Sequence, residues 1–316
     1  MTVPGSQHAA RPRPTGRLWA AVAFALALVG TAATAIALAA PDTPPSAPAA
    51  SDPPPPLPEG ATALPPPTVT AVPAAASICG LPDVLAGLAA GDDGAVIAAS
   101  GGAFAFRQAI AAGSAPCIPL ADPAHVWVVV NKQRPCDPID FSPSGLGLPA
   151  GVRNLGDTEL RVDAGADLAQ LLAASATAGA GEVGLDSGFR SFSMQRSTYN
   201  AQVRARGVAG ADLISARPGF SEHQTGLAAD VVACAGGCGS IEEFAATAQG
   251  AWIAAHAWEH GWIVRYEDGQ TPVTGYQPEP WHLRYVGREL ARAYHDGGFR
   301  TLEEFFGLPA APGYAP

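Results

Sequence analysis

An α+β domain, with a small and mainly antiparallel sheet flanked by helices, is what the sequence predicts for everything beyond its first 77 residues. Two observations carry that prediction. Helix and strand signals follow one another irregularly, without the βαβ rhythm of a parallel sheet, and no internal repeat is visible. No glycine-rich phosphate loop opens any helix.

The elements follow in order. Residues 126–130 (Val-Trp-Val-Val-Val) read as a buried strand, and residues 167–177 as a helix that stops near Gly179. Residues 183–185 form a short strand that runs into a glycine-containing loop, then residues 193–206 a helix closed by Gly207. Residues 227–233 are a strand, and residues 251–260 a helix halted by Gly261. Strands follow at 262–266 and 281–286, with a helix at 288–294.

The first 77 residues have another texture. Arg11, Arg13 and Arg17 precede an uncharged apolar run at 18–40, and no lysine or arginine follows until Arg107. A helix over that run spans roughly 34 Å, enough to cross a hydrocarbon core. The positive-inside rule then leaves residues 1–17 in the cytoplasm and exports the rest. Ala37-Leu38-Ala39 also fits a signal-peptide cleavage site, but the length of the run favours an uncleaved anchor. Residues 41–77 are a proline-rich linker; runs such as Pro53–Pro56 favour extended polyproline II. The expected organisation is a cytoplasmic tail, a single-pass anchor, a spacer, and an extracytoplasmic domain at 78–316.

The formal net charge is −10, and the leader arginines are matched by no acid of their own, so the remainder is more acidic still. That balance argues against nucleic acid as a partner, because such affinity comes largely from lysine and arginine against phosphates. Five cysteines lie after the leader, where an exported chain can form disulfides. Cys79–Cys117 and Cys234–Cys238 are the expected bridges, with Cys136 left over, although sequence alone does not fix the connectivity. Zinc on Cys234 and Cys238 is an alternative that lacks a second ligand pair.

Three segments hold the chemistry. The first is Ser187-Gly188-Phe189-Arg190-Ser191, leading to Gln195. The second runs from Ser221 through His223 and Gly226 to Asp230, and the third is Glu279-Pro280-Trp281-His282-Leu283-Arg284-Tyr285-Val286-Gly287. Asp230 interrupts an apolar strand, where a carboxylate is costly unless it is paired or bound to a metal. His223 precedes it across a glycine turn. Glu279 and His282 are three apart, which in a regular strand sends them to opposite faces; Pro280 breaks that regularity. Two histidines and a carboxylate make a catalytic zinc set that leaves a position for water, and a further glutamate supplies the base. The bland alternative pairs Asp230 with a nearby arginine.

Together these segments resemble the VanY-type D-alanyl-D-alanine carboxypeptidases, zinc peptidases related to the VanX dipeptidases and the hedgehog domain. The resemblance runs from about Val126 to Gly287 and includes Asn131-Lys132 and Thr274-Gly275-Tyr276. It implies that His223, Asp230 and His282 bind Zn2+, and that Glu279 activates the attacking water and returns its proton to the departing amine. Arg190 would stabilise the oxyanion, with Gln195 and Ser221 in contact with substrate. The implied partners are peptidoglycan stem peptides, and the anchor places the enzyme on a bacterial cell membrane. Two other activities remain open, an endopeptidase of the same family and a non-catalytic module that binds wall peptides. His256 and His260 also match an inverted zinc-protease motif, but their helix reads as core packing. Arg284 reads either as a contact to substrate carboxylate or as a cross-strand partner of an acid.

Overall fold

The computed structural model describes residues 77–315. The expected tail (1–17), anchor (18–40) and all but the last residue of the linker (41–77) lie outside the described residues. Among the described residues no helix is long and apolar enough to cross a membrane.

Helices α1 (Pro82–Ala90), α2 (Asp93–Ala99) and α3 (Ala103–Ala111) open the domain. Pro82 suits a first turn, where its missing N–H has no intrahelical partner to lose. Asp92 caps α2 by accepting a hydrogen bond from the Ala95 amide. The Cys79–Cys117 disulfide ties the turn before α1 to the chain beyond α3, one of the two bridges expected. Cys136 is the free thiol, and burial pushes it up to about 12, so it stays protonated and inert.

Strands β1 (Leu146–Gly147), β2 (Arg153–Asn154) and β3 (Leu160–Arg161) precede α4 (Val162–Thr177). Then come β4 (Glu182–Ser187), α5 (Phe192–Asp212), β5 (Ala228–Ala235) and β6 (Gly237–Cys238). The chain closes with α6 (Ala248–His256), β7 (Trp262–Tyr266), α7 (Thr271–Thr274), β8 (Glu279–Tyr285), α8 (Arg288–Asp296) and α9 (Leu302–Phe306). β1 pairs with β3, and the main sheet has the order β2-β4-β5-β8-β7 with β6 folded back on β5. Every pairing in it is antiparallel except β2 with β4. The predicted α+β fold with a mainly antiparallel sheet is therefore present. The second expected bridge, Cys234–Cys238, closes the β5–β6 hairpin, so those sulfurs are not metal ligands.

Alternation along the strands separates two faces. Val183 and Leu185 on β4, Ala229 and Val231 on β5 and Leu283 on β8 belong to one core, together with Leu168, Leu171 and Leu172 of α4. The opposite face takes Ser187, Asp230 and His282, which the register sets side by side across three strands.

Two expectations change and one is extended. Residues 126–130 are fully buried around Trp127–Val130 but form no strand. Two of their carbonyls are satisfied by a side chain instead, since Arg284 Nη2 donates to Val126 O and Val128 O. An apolar run reports burial; it does not report what satisfies its backbone. The helix expected to close at Gly207 does break there, at φ 72°, and what the sequence did not predict is the further helical segment that continues α5 to Asp212. The helix expected over 251–260 narrows to a 3-10 turn after His256, Ala257–His260.

Candidate active site

The sheet's polar face and the two loops above it converge on one cleft of about 480 Å3. Arg190, Gln195, Ser221, His223, Asp230, Glu279 and His282 all line it, so every site residue expected from sequence is brought to one place.

Asp230 stands between the two histidines. His223 Nε2 lies 3.2 Å from Asp230 Oδ2, and His282 Nδ1 lies 3.0 Å from Asp230 Oδ1. One ligand atom from each residue falls within 4.8 Å of the others, and all three residues are buried. The far nitrogens are committed elsewhere. His223 Nδ1 donates to the Gly188 carbonyl at 2.7 Å, and His282 Nε2 donates to Glu222 Oε2 at 3.3 Å. Fixing one ring nitrogen on an acceptor leaves the other with its lone pair toward the common centre, as in histidine metal sites. The donor set therefore fits Zn2+, which His223, Asp230 and His282 would hold. Gly188 permits the His223 contact because a Cβ there would sit 2.4 Å from Glu159 O.

A register shift places Glu279. Leu283 on β8 faces Val264 on β7, yet Glu279 faces Tyr266, so β8 carries extra residues over that stretch. The irregularity turns Glu279 to the same side as His282, with 3.9 Å between Glu279 Oε2 and His282 Nδ1. Burial raises the Glu279 carboxyl to about 7, helped by the Asp230 and Glu222 carboxylates and opposed by His282 and Arg190. Burial also disfavours a charged His282, but Asp230 and Glu222 outweigh it and push that imidazole up to about 10 in the metal-free protein. Metal binding must then displace a proton.

These values set a stability prediction for metal-free protein. The unfolded glutamate ionises near 4.5 and the folded one near 7. Within that window the folded state holds a proton the unfolded chain has lost, so stability falls as pH rises. Glu279→Gln mimics the protonated form. Its urea stability should match wild type near about pH 4 and exceed it by about 3 kcal/mol near about pH 8. Parallel curves at both pH values would contradict the assignment.

Arg190 is held over the site by neutral partners: Nη1 donates to Gln195 Oε1 and Nη2 to Ser187 Oγ, both at 2.9 Å. The guanidinium stays 3.8 Å from Asp230 Oδ2. Gln195 is itself fixed, donating from Nε2 to Ala216 O at 2.6 Å, so its oxygen is presented to Arg190. Ser191 caps α5 beside them, which directs the positive end of the helix dipole at the same corner.

Glu222 is the residue that sequence reasoning missed. It is fully enclosed, and its Oε1 accepts from Arg265 Nε at 2.9 Å and Arg284 Nη1 at 3.1 Å. Arg265 also forks onto Glu303 at 2.7 and 3.0 Å, and Asn131 Nδ2 donates to Glu303 Oε1. Burial alone would raise Glu222, but the two guanidiniums and His282 hold it well below the usual carboxylate range. Arg284 is thus wholly buried and pairs with an acid across the core, so it makes no contact with substrate. Lys132 packs on Tyr276 and donates to the Gly275 carbonyl, which steadies the cleft wall. His256 and His260 do not join any metal group among the described residues; His256 pairs with Glu259, and the 3-10 turn removes their shared helical face.

The VanY family model, described as D-alanyl-D-alanine carboxypeptidase, matches residues 157–288. The putative carboxypeptidase YodJ of Bacillus subtilis (strain 168) is 35% identical over 191 residues, 59% of this chain and 69% of that protein. The bifunctional D-Ala-D-Ala dipeptidase and D-Ala-D-Ala carboxypeptidase VanXYC of Enterococcus gallinarum is 30% identical over 141 residues, 39% of this chain and 72% of VanXYC. The solved structure of the LdcB LD-carboxypeptidase superposes with a TM-score of 0.54 at 35% identity, covering 58% of this chain and 86% of that one.

Fold and relatives together define a peptidase of the carboxypeptidase class. The chain belongs to the VanY-type D-alanyl-D-alanine carboxypeptidase family.

Proposed function

We propose that this protein is a zinc-dependent carboxypeptidase that removes the terminal D-alanine from peptidoglycan stem peptides outside a bacterial membrane. The convergence of His223, Asp230 and His282 on one centre, with Glu279 beside it, carries the reading. The description of the family model and the name of VanXYC support the bond chosen. Zinc held by those three ligands would polarise the scissile carbonyl and the attacking water.

The chain's own groups do the rest. Glu279, beside the ligand group, takes a proton from the attacking water and delivers it to the nitrogen of the departing D-alanine. Arg190 meets the charge that develops on the carbonyl oxygen, preorganised by Gln195 and Ser187 so that little reorientation is needed. Ser221 and Gln195 line the cleft where the stem would lie. The apolar run at 18–40 and the proline linker support the extracytoplasmic placement.

A second reading has its own observation. The superposed LdcB structure is that of an LD-carboxypeptidase, whose counterpart reaction here would remove D-alanine from a tetrapeptide stem. Mass spectrometry of pentapeptide and tetrapeptide muropeptides, incubated with the zinc-loaded protein, separates the two. Loss of one D-alanine from the pentapeptide is the expected result. Trimming of the tetrapeptide alone would favour the second reading, and release of larger fragments would point to an endopeptidase. No product from any stem would leave a binding module.

A further inference from the structure

The cleft extends well past its catalytic corner along α5. Gln195, Thr198, Gln202 and Arg206 all line it and recur at helical spacing, so one face of the helix forms a wall. Gln195 touches Arg190 at the near end. Arg206 lies eleven residues on, which at the helical rise places its backbone about 16 Å along the axis.

Arg206 is chemically distinct in that wall. Among the residues lining the cleft, those outside the catalytic cluster that carry a charge at neutral pH are Arg206 and Glu242. Arg206 is exposed, and its recorded side-chain partner is the neutral amide oxygen of Gln202. Gly207 breaks the helix directly after it, so the guanidinium stands at the end of a helical segment, where the dipole favours a cation. Glu242 carries the wrong sign to hold an anion. The mouth of the cleft thus offers a single cation engaged by no carboxylate among the described residues, in line with the reacting corner.

We propose that Arg206 is a specificity-determining residue that binds a free carboxylate on the substrate, upstream of the scissile bond. An extended peptide advances about 3.3 Å per residue, and the arginine side chain reaches back toward the centre. The carboxylate therefore sits roughly three to five residue lengths from the bond that breaks. A stem peptide supplies such a group where a glutamyl residue is linked through its γ-carboxyl and leaves the α-carboxylate free. Arg206 makes a charge-assisted contact to it, and amidation of that carboxylate removes the charge while keeping the shape.

This inference rests on the proposed carboxypeptidase reading, and its test keeps the two apart. Wild type and Arg206→Gln would be assayed on two synthetic stem pentapeptides, identical except that the γ-linked glutamyl α-carboxylate is free in one and amidated in the other. Wild type should show a KM about two- to fivefold lower for the free acid, a range suited to an exposed ion pair. That preference should shrink as salt is raised. Arg206→Gln should lose the preference by raising KM for the acid, with kcat unchanged for both stems. Equal KM values for both stems in wild type, or a preference that survives Arg206→Gln, would overturn the role of Arg206 while leaving the carboxypeptidase intact. Failure of wild type to hydrolyse either stem would instead overturn the reading beneath it.

Discussion

Glu279→Gln should lower kcat for stem-peptide hydrolysis by about a hundredfold to ten-thousandfold, the range for removing a general base. One metal ion per chain should remain bound. Both halves follow from position. Glu279 reaches the ligand group, with its carboxylate 3.9 Å from the His282 nitrogen that faces Asp230, yet it stands outside the three atoms that converge. Glutamine keeps the volume and cannot accept a proton from water. Released D-alanine gives the rate, and elemental analysis of the same dialysed samples gives the metal. Loss of metal together with activity would recast Glu279 as a ligand. A variant that turns over like wild type would remove it from the chemistry.

Glu222→Gln should cost about 3–5 kcal/mol of stability and weaken metal affinity by about ten- to a hundredfold. The stability loss comes from charge left without its counter-ion. Arg265 and Arg284 are wholly enclosed, and Glu222 Oε1 is the atom that joins them. Glu303 can still neutralise Arg265, so the uncompensated charge should fall on Arg284. The affinity loss has a separate cause: without the carboxylate at 3.3 Å, His282 Nε2 no longer has an anionic partner to fix its ring and tautomer. Urea denaturation of metal-free protein and competition with a zinc chelator measure the two effects independently. Adding Arg284→Met should recover part of the stability and none of the affinity. Unchanged affinity in folded Glu222→Gln would show that His282 is oriented by packing alone.

Most of the candidate site was legible in one dimension because its residues break local rules. Asp230 interrupts an apolar strand, His223 sits before a glycine turn, and Glu279 and His282 flank a proline. The same signal was present for Arg265, a charged residue inside the apolar strand Trp262–Tyr266, and for Arg284 in β8. For Arg284 it pointed to an acidic partner, but a buried cation announces that it needs an acid without saying which one. The partner, Glu222, lies more than forty residues from Arg265, in a polar stretch with no local signal of burial.

By itself the sequence determined the α+β class, the strand that carries Asp230 and the polar segments that line the cleft, since these depend on residue type and short-range pattern. Tertiary structure decided the rest. It set Ser187, Asp230 and His282 abreast through strand register, and it turned Glu279 onto their face through a register shift. It made residues 126–130 a buried irregular segment satisfied by Arg284 instead of a strand. Each of these outcomes depends on which distant group arrives to pair a buried backbone or charge, and long-range pairing leaves no periodic trace along the chain.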